Sequence, residues 1–157
     1  KIVGLAAIKY GDLSNQATKD YIFDVDRFTS FEGNTGPYIL YTIVRIKSIL
    51  NRYVEAGGNL EAGEILPASN GSEKNLMLQL SGFGSMIESA FEEKAPHKIC
   101  AYIYEVSNAF NSFYHETKIL SEENQAQKES YIRLLQLTKR VLETSIDLLG
   151  FEAPDKM

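Results

Sequence analysis

Apolar residues recur along this chain at spacings of three and four, the pattern that buries one face of an α-helix. The first clear stripe is Ile39, Ile43, Ile46, Leu50 and Tyr53, and the second is Ile99, Ile103, Val106, Phe110 and Phe113. A third stripe comprises Tyr131, Leu134, Leu135, Thr138, Val141, Leu142 and Ser145. The only strand-like segment is the short run at residues 21–23. The predicted fold class is therefore all-α, a helix bundle.

Helix breakers predict the ends of the elements in the first half. Residues 1–13 read as a helix with Ile2, Leu5, Ala6 and Lys9 on one side, and Gly11 and Asp12 are expected to break the pattern. Pro37 stands where the first position of a helix would be, since its fixed φ suits that position.

Capping signals predict the ends in the second half. A loop is expected from residue 59 to residue 71, because Gly, Pro and Asn cluster there. Ser85 and Glu88 match a capping box, which predicts a helix start at Ser85. Ser121 is the expected cap of the last helix, and Gly150 is its expected stop.

The composition is that of one globular domain. The 157 residues are 44% hydrophobic and 24% charged, close to the average of such domains. The net charge of −5 argues against DNA or RNA binding through bulk charge, because neutralisation of phosphates drives that mode. Composition alone favours a protein partner. An RNA-binding function would need a local surface that recognises unpaired bases.

The sequence offers no catalytic or metal-binding constellation. A lone cysteine, Cys100, fits a buried apolar position in a reducing compartment. With only two histidines, His97 and His115, no zinc site can be assembled. No glycine-rich phosphate loop, serine elbow or membrane-length apolar run occurs. The acidic residues of the last helix alternate with basic ones, as on a solvated face held by ion pairs; the basic ones are Lys128, Arg133, Lys139 and Arg140.

Two helix faces could bind RNA. On the first long helix, Tyr38, Tyr41, Arg45 and Arg52 are spaced by three, four and seven residues, so they share one side. Aromatic rings and guanidinium groups together stack on bases and hold phosphates. The alternative is that the tyrosines border the core and the arginines pair with acids.

The second face lies on the helix after Pro96. Ser107, Asn111, Tyr114 and Lys118 line up at spacings of four, three and four. Phe113 points about 100° away from Tyr114 and into the core. Tyr114 is therefore expected in a polar stripe, where its ring could stack on an unpaired base.

Five sequence blocks resemble the arginyl-tRNA synthetase family. They are AIKYGDL at residues 7–13, FEGNTGPY at 31–38, HKI at 97–99, FNSFY at 110–114 and DLLGFEAP at 147–154. The first block is similar to the connection that leaves the catalytic domain, and the others are similar to the C-terminal anticodon-binding domain. The likeness covers nearly the whole chain in the right order. The letters DALR, which name the wider domain class, do not occur.

The resemblance implies a piece of a class I aminoacyl-tRNA synthetase, an expectation that fits a chain beginning without Met. Residues 1–33 would be the tail of the catalytic domain and its connecting segment. Residues 34–157 would be the helical anticodon-binding domain. The parent enzyme would be a cytoplasmic ligase that joins arginine to tRNA(Arg) using ATP with Mg. This fragment would bind no cofactor and would be inactive alone, because the nucleotide-binding signatures of the class are absent.

The resemblance also implies individual site residues. In the family, a tyrosine at the position of Tyr114 and a C-terminal methionine, matching Met157, lie against the anticodon loop. Arg45 matches a family arginine on the side that faces the tRNA. The expected partners are the anticodon loop of tRNA(Arg) and the parent's own catalytic domain, and neither DNA nor a membrane. The alternative function is a helical protein–protein interaction module, which the acidic charge would also suit.

Overall fold

A computed structural model describes all residues from 1 to 157, and it contains α-helices without any β-strand. The seven helices are α1 (Ile2–Leu13), α2 (Val25–Thr29), α3 (Gly36–Glu55), α4 (Gly71–Ser81), α5 (Phe83–Glu92), α6 (Pro96–Glu116) and α7 (Gln125–Leu148). The predicted all-α fold class is confirmed. The short run at residues 21–23 is exposed coil.

The core lies where α3 packs against α6 and α7. All three predicted apolar stripes are buried there, so the helical spacing identified the packed faces correctly. Cys100 of α6 is fully buried among them. Burial raises the pKa of its thiol to about 12, so the group remains protonated and inert.

The packed side of α1 differs from the prediction. Of the predicted side, Ala6 is buried whereas Ile2 and Leu5 are exposed, and the helix also buries Ala7 and Tyr10. The hydroxyl of Tyr10 donates to the backbone carbonyl oxygen of Cys100 at 2.8 Å. The residues that face the bundle are thus two alanines and one tyrosine, and the hydroxyl of this tyrosine has a hydrogen-bond partner within the core. A search for large aliphatic residues could not find such a face.

The prediction that Gly11 breaks the first helix was also wrong. Gly11 is buried within α1, and the aromatic ring of Phe28 occupies the space that a side chain would need. Asp24 caps the short helix α2 that carries this ring, accepting from the backbone N–H of Arg27 at 3.1 Å. The glycine therefore serves close packing rather than helix termination.

Two predicted caps are not the observed ones. Helix α5 begins at Phe83 without any side-chain cap, so Ser85 does not start it. Helix α7 is capped by Asn124, whose side-chain oxygen accepts from the backbone N–H of Gln127 at 3.0 Å. Ser and Asn are comparable caps, and residues 121–124 contain both, so local sequence could not choose between them.

The predicted stop of α7 is confirmed in detail. Gly150 has a φ of +83°, a left-handed conformation that favours glycine. Its N–H donates to the carbonyl oxygen of Asp147 at 2.9 Å, and that of Phe151 donates to Ile146 at 3.1 Å. This pair of bonds is the Schellman motif.

Helix α1 shares the core of the other helices. Ala6 and Tyr10 belong to the same buried cluster as Ile39 of α3 and Phe110 of α6. The predicted boundary between residues 33 and 34 stays a prediction, and this boundary would fall within one packed unit.

Gly36→Ala should destabilise the chain by about 1–3 kcal/mol, the usual cost of overpacking. A Cβ at Gly36 would collide with the backbone of Ala6, and the backbone cannot swing aside as a flexible side chain can. Gly84→Ala is the control, because a Cβ there meets nothing within 4 Å. It should stabilise by about 0.5–1 kcal/mol through helix propensity. Urea unfolding measures both variants; equal stability of the two would contradict the close approach of α1 and α3.

Candidate nucleic-acid interface

The two predicted faces meet in the structure, because α3 and α6 pack side by side. Arg45 of α3 donates from Nη1 to the side-chain oxygen of Asn111 of α6 at 2.7 Å. The amide nitrogen of Asn111 donates to the hydroxyl of Tyr38 at 3.0 Å and to that of Thr42 at 3.1 Å. The two helix faces thus form one surface joined by a hydrogen-bonded network.

The guanidinium group of Arg45 lies between two tyrosine rings. Its Cζ is 4.5 Å from the ring centroid of Tyr114 and 5.0 Å from that of Tyr41. Nη2 also donates to the Tyr41 hydroxyl at 3.3 Å. A cation within about 6 Å of a ring face is attracted by the ring's quadrupole. We call Tyr41, Arg45 and Tyr114 the aromatic–arginine layer.

No acidic side chain neutralises this layer. The ion pairs of the chain involve Lys47, Lys98, Arg133 and Lys139, and neither Arg45 nor Arg52 takes part in one. The alternative in which these arginines pair with acids is therefore wrong. Arg45 is oriented by a neutral amide and by rings, so its full charge remains available to an anion.

Tyr38 is a supporting residue of this surface. Its hydroxyl accepts from Asn111 and donates to Asn108 at 2.7 Å, and its ring meets that of Tyr104 edge-on at 5.8 Å. Desolvation raises the pKa of this hydroxyl above its ordinary value, although the bond from Asn111 and the charge of Arg45 act in the opposite direction. Tyr38 is thus half-buried and committed to contacts inside the protein.

The polar stripe predicts that Tyr114 lies outside the core, but the structure places it at the edge of the core. Its ring is half-buried, packs against the core cluster, and lies 6.3 Å from the ring of Phe110. Its hydroxyl makes no hydrogen bond within the protein. Ser107, expected in the same stripe, is fully buried. The N-terminal end of the stripe therefore lies inside the bundle.

A groove beside the layer brings together three of the predicted residues. Arg52, Tyr114 and Lys118 line an open cavity of about 620 Å³ at the C-terminal end of α6. Its charged lining consists of Arg52 and Lys118 with one acid, Glu116. The local charge balance is thus opposite in sign to that of the chain.

The groove continues to a residue that sequence reasoning did not single out. Arg52 and Leu120 also line a second cavity, of about 210 Å³, which reaches Lys128 of α7. Lys128 was assigned to an ion-paired helix face, but no carboxylate pairs with it, whereas Lys139 does pair with Glu143. Arg52 and Lys128 are far apart in sequence, so only the tertiary fold could reveal this cation.

Met157 lies at the end of the irregular segment that follows α7 and is 45% exposed. It lines neither of the two cavities. Seven of the eight predicted site residues therefore lie on the α3–α6 face and its groove, and the C-terminal methionine is separate from their contacts.

Comparison with known proteins decides the family. The DALR anticodon binding domain model matches residues 39–157. The chain belongs to this family. It is 70% identical to the arginine–tRNA ligase of Agathobacter rectalis over 100% of its own length and 27% of that protein's. It is 58% identical to the arginine–tRNA ligase of Alkaliphilus oremlandii over 99% of the chain and 26% of that protein.

The fold comparison agrees with this membership. Thermus thermophilus arginyl-tRNA synthetase superposes with a TM-score of 0.89 at 30% identity, over 99% of this chain and 27% of that one. The resemblance inferred from the five sequence blocks is confirmed. The chain spans about a quarter of the length of these relatives, and it corresponds to their anticodon-binding part. None of its helices combines the length and hydrophobicity that crossing a membrane requires.

Asn111→Ala should lower the free energy of unfolding of this DALR domain by about 1–3 kcal/mol, because it leaves partly buried donors and acceptors unpaired. The affected groups are on Tyr38, Thr42 and Arg45. Ser112→Ala is the control, since this neighbour on α6 is exposed and should change stability by less than about 0.5 kcal/mol. Thermal and urea unfolding measure both; an Asn111→Ala variant as stable as the control would show that the network does not hold the two helices.

Proposed function

We propose that this domain binds the anticodon loop of tRNA(Arg) with the aromatic–arginine layer and the adjoining groove. The observation that carries the proposal is Arg45, a cation held between two tyrosine rings without any acidic partner. An unpaired base can stack on such rings. Phosphates of the loop would then meet Arg45 in the layer and Arg52 with Lys118 in the groove.

The acidic net charge is compatible with this role. A loop reader obtains specificity from stacking and from hydrogen bonds to base edges, whereas bulk phosphate neutralisation mainly supplies non-specific affinity. Specific recognition of a loop therefore needs only a few unpaired cations placed beside aromatic rings. Non-specific binding to duplex DNA should be weak for the same reason.

The residues of the site divide into contacting and supporting ones. Tyr114, Arg45 and Tyr41 form the layer, and Arg52 with Lys118 lines the groove. Asn111 and Tyr38 use their polar atoms on protein partners, so their role is to fix the geometry. We propose a contact between Met157 and the same RNA loop as well.

The parent protein is proposed to be a cytoplasmic arginine–tRNA ligase that uses ATP, with Mg, to activate arginine. The catalytic domain would be the other partner of this chain. We propose that the ATP site lies in the other part of the parent protein, because the nucleotide-binding signatures of class I synthetases do not occur among these 157 residues. The chain alone should therefore not activate arginine.

Tyr114→Ala should weaken binding of tRNA(Arg) by roughly 1–3 kcal/mol, the usual value of one base–aromatic contact. The substitution removes one ring of the layer and also frees Arg45, which lies against it. Binding is measured by fluorescence anisotropy on labelled tRNA(Arg).

Tyr114→Phe is the matched variant, because it keeps the ring that packs against Phe110 and removes only the hydroxyl. It should fold as stably as wild type, within about 1 kcal/mol, since that hydroxyl has no partner in the protein. It should also keep most of the affinity. Wild-type affinity in Tyr114→Ala, with both variants folded, would refute the stacking role.

Arg45→Ala should reduce affinity for cognate and non-cognate anticodons by similar factors, because a cation on phosphate positions RNA without reading its sequence. Loss of one phosphate contact should also flatten the plot of log affinity against log salt by about one unit. Titrations at several salt concentrations test this, with Arg140→Ala as the control for an exposed arginine on α7. An unchanged slope would assign Arg45 a structural role only.

The same titrations test the alternative of a protein-binding module. A domain whose partner is a protein would not discriminate tRNA(Arg) from other tRNAs at any salt concentration. Discrimination that depends on the anticodon bases supports the proposed function, and its absence in the wild-type chain contradicts it.

A further inference from the structure

The chain after α7 has no regular secondary structure, yet it is fixed to the bundle. We call residues 151–157 the C-terminal tail. Phe151 is buried in the core cluster, and Ala153 packs against that cluster. These apolar contacts fix the first half of the tail, whereas the residues from Asp155 onward are exposed.

Lys47 of α3 holds the middle of the tail. Its ammonium group donates to the backbone carbonyl oxygens of Ala153 at 3.5 Å and of Pro154 at 3.3 Å. It also lies 3.6 Å from a carboxylate oxygen of Asp155. One side chain thus contacts three consecutive tail residues.

The environment of Lys47 favours this contact over a solvated one. Its side chain is only 16% exposed, so an unpaired ammonium group would lose most of its hydration. Glu143 of α7 lies 3.6 Å away and helps to balance the charge. The side chain of Asp155 is fully exposed, and that ion pair is screened by water. The carbonyl oxygens and Glu143 therefore hold the ammonium group in place.

The position of Lys47 relates the tail to the proposed RNA surface. Lys47 follows Arg45 by two residues, so the two lie about 3 Å apart along the helix axis and about 200° apart around it. Arg45 faces α6, and Lys47 faces α7 and the tail. Met157 follows Asp155 by two residues and can lie at most about 7 Å beyond it. Met157 thus lies only two residues beyond the part of the tail that Lys47 holds against α3.

We propose that Lys47 is a positioning residue that holds the C-terminal tail against α3 and so places Met157 to contact the same RNA loop. This inference rests on the proposed function, since it assigns a second side to the site that binds tRNA(Arg). Lys47 itself does not touch the RNA. Its effect passes through the tail.

Lys47→Met tests the proposal, because methionine keeps the apolar stem and removes the charge. Lys139→Met is the matched control: Lys139 also pairs with Glu143, at 3.7 Å, but makes no contact with the tail. Both variants lose one positive charge, so bulk electrostatics change equally. A third variant lacks Met157, and a fourth combines this deletion with Lys47→Met.

The first readout does not involve RNA. The chain has three methionines, and Met77 and Met86 pack against the core. In ¹³C-methyl-methionine spectra, Lys47→Met introduces one new signal and should move the Met157 signal to a sharp random-coil position. The signals of Met77 and Met86 should stay in place. Lys139→Met should leave the Met157 signal unchanged, and an unmoved signal in Lys47→Met would overturn the anchoring.

The second readout is affinity for transcribed tRNA(Arg). Lys47→Met and the Met157 deletion should each weaken binding by about fivefold or more, the loss expected for one contact worth about 1 kcal/mol. The combined variant should be no weaker than the deletion alone, because both changes remove the same contact. Additive losses, or a released tail with unchanged affinity, would overturn the positioning role. A wild-type chain that does not bind tRNA(Arg) would refute the proposed function, while the Met157 signal would still decide the anchoring.

Discussion

The burial of one stripe of α3 against α6 and α7 is the constraint on which the whole surface depends. Ile39, Ile43 and Ile46 are fully buried, so the helix cannot rotate without losing its core contacts. That fixed orientation places Arg45 at the border with α6 and Lys47 at the border with α7. Each border residue then organises a different partner: a layer of rings on one side and the C-terminal tail on the other. A rigid helix can hold both at a constant separation, which a loop could not.

Charge is used locally in this domain. The chain is acidic overall, and lysines on α3, α6 and α7 pair with acids. Arg45 is instead held by the amide of Asn111 and by two rings. An amide fixes the orientation of a guanidinium group and leaves its charge uncompensated. A carboxylate would fix the orientation but would also neutralise the charge. The choice of neutral partners around one arginine therefore explains how an acidic domain can present a cation to an anionic ligand.

The sequence predicted much of the fold but less of the site's internal contacts. Helical spacing identified the buried stripes of α3, α6 and α7, because a 3.6-residue period is a direct record of which face is packed. On α1 it identified Ala6 but missed the buried Ala7 and Tyr10 and wrongly included Ile2 and Leu5, since small residues carry a weak hydrophobic signal. It also placed Asn111 among the groups facing RNA. Side-chain direction follows from spacing, but the partner of an amide depends on the neighbouring helix, which no local pattern specifies.

The same reasoning explains why Lys47 and Lys128 could not be found from sequence. On a helix wheel each is one more basic residue on an amphipathic surface, and such residues are usually solvated. Tertiary structure separates them: Lys47 is enclosed by α7 and the tail, and Lys128 borders the cavity that Arg52 also lines. The difference between a solvated lysine and a positioning one therefore lies in the acceptors that surround its ammonium group. For Lys47 those acceptors are the backbone carbonyls of Ala153 and Pro154, and its charge therefore helps to determine where the chain ends.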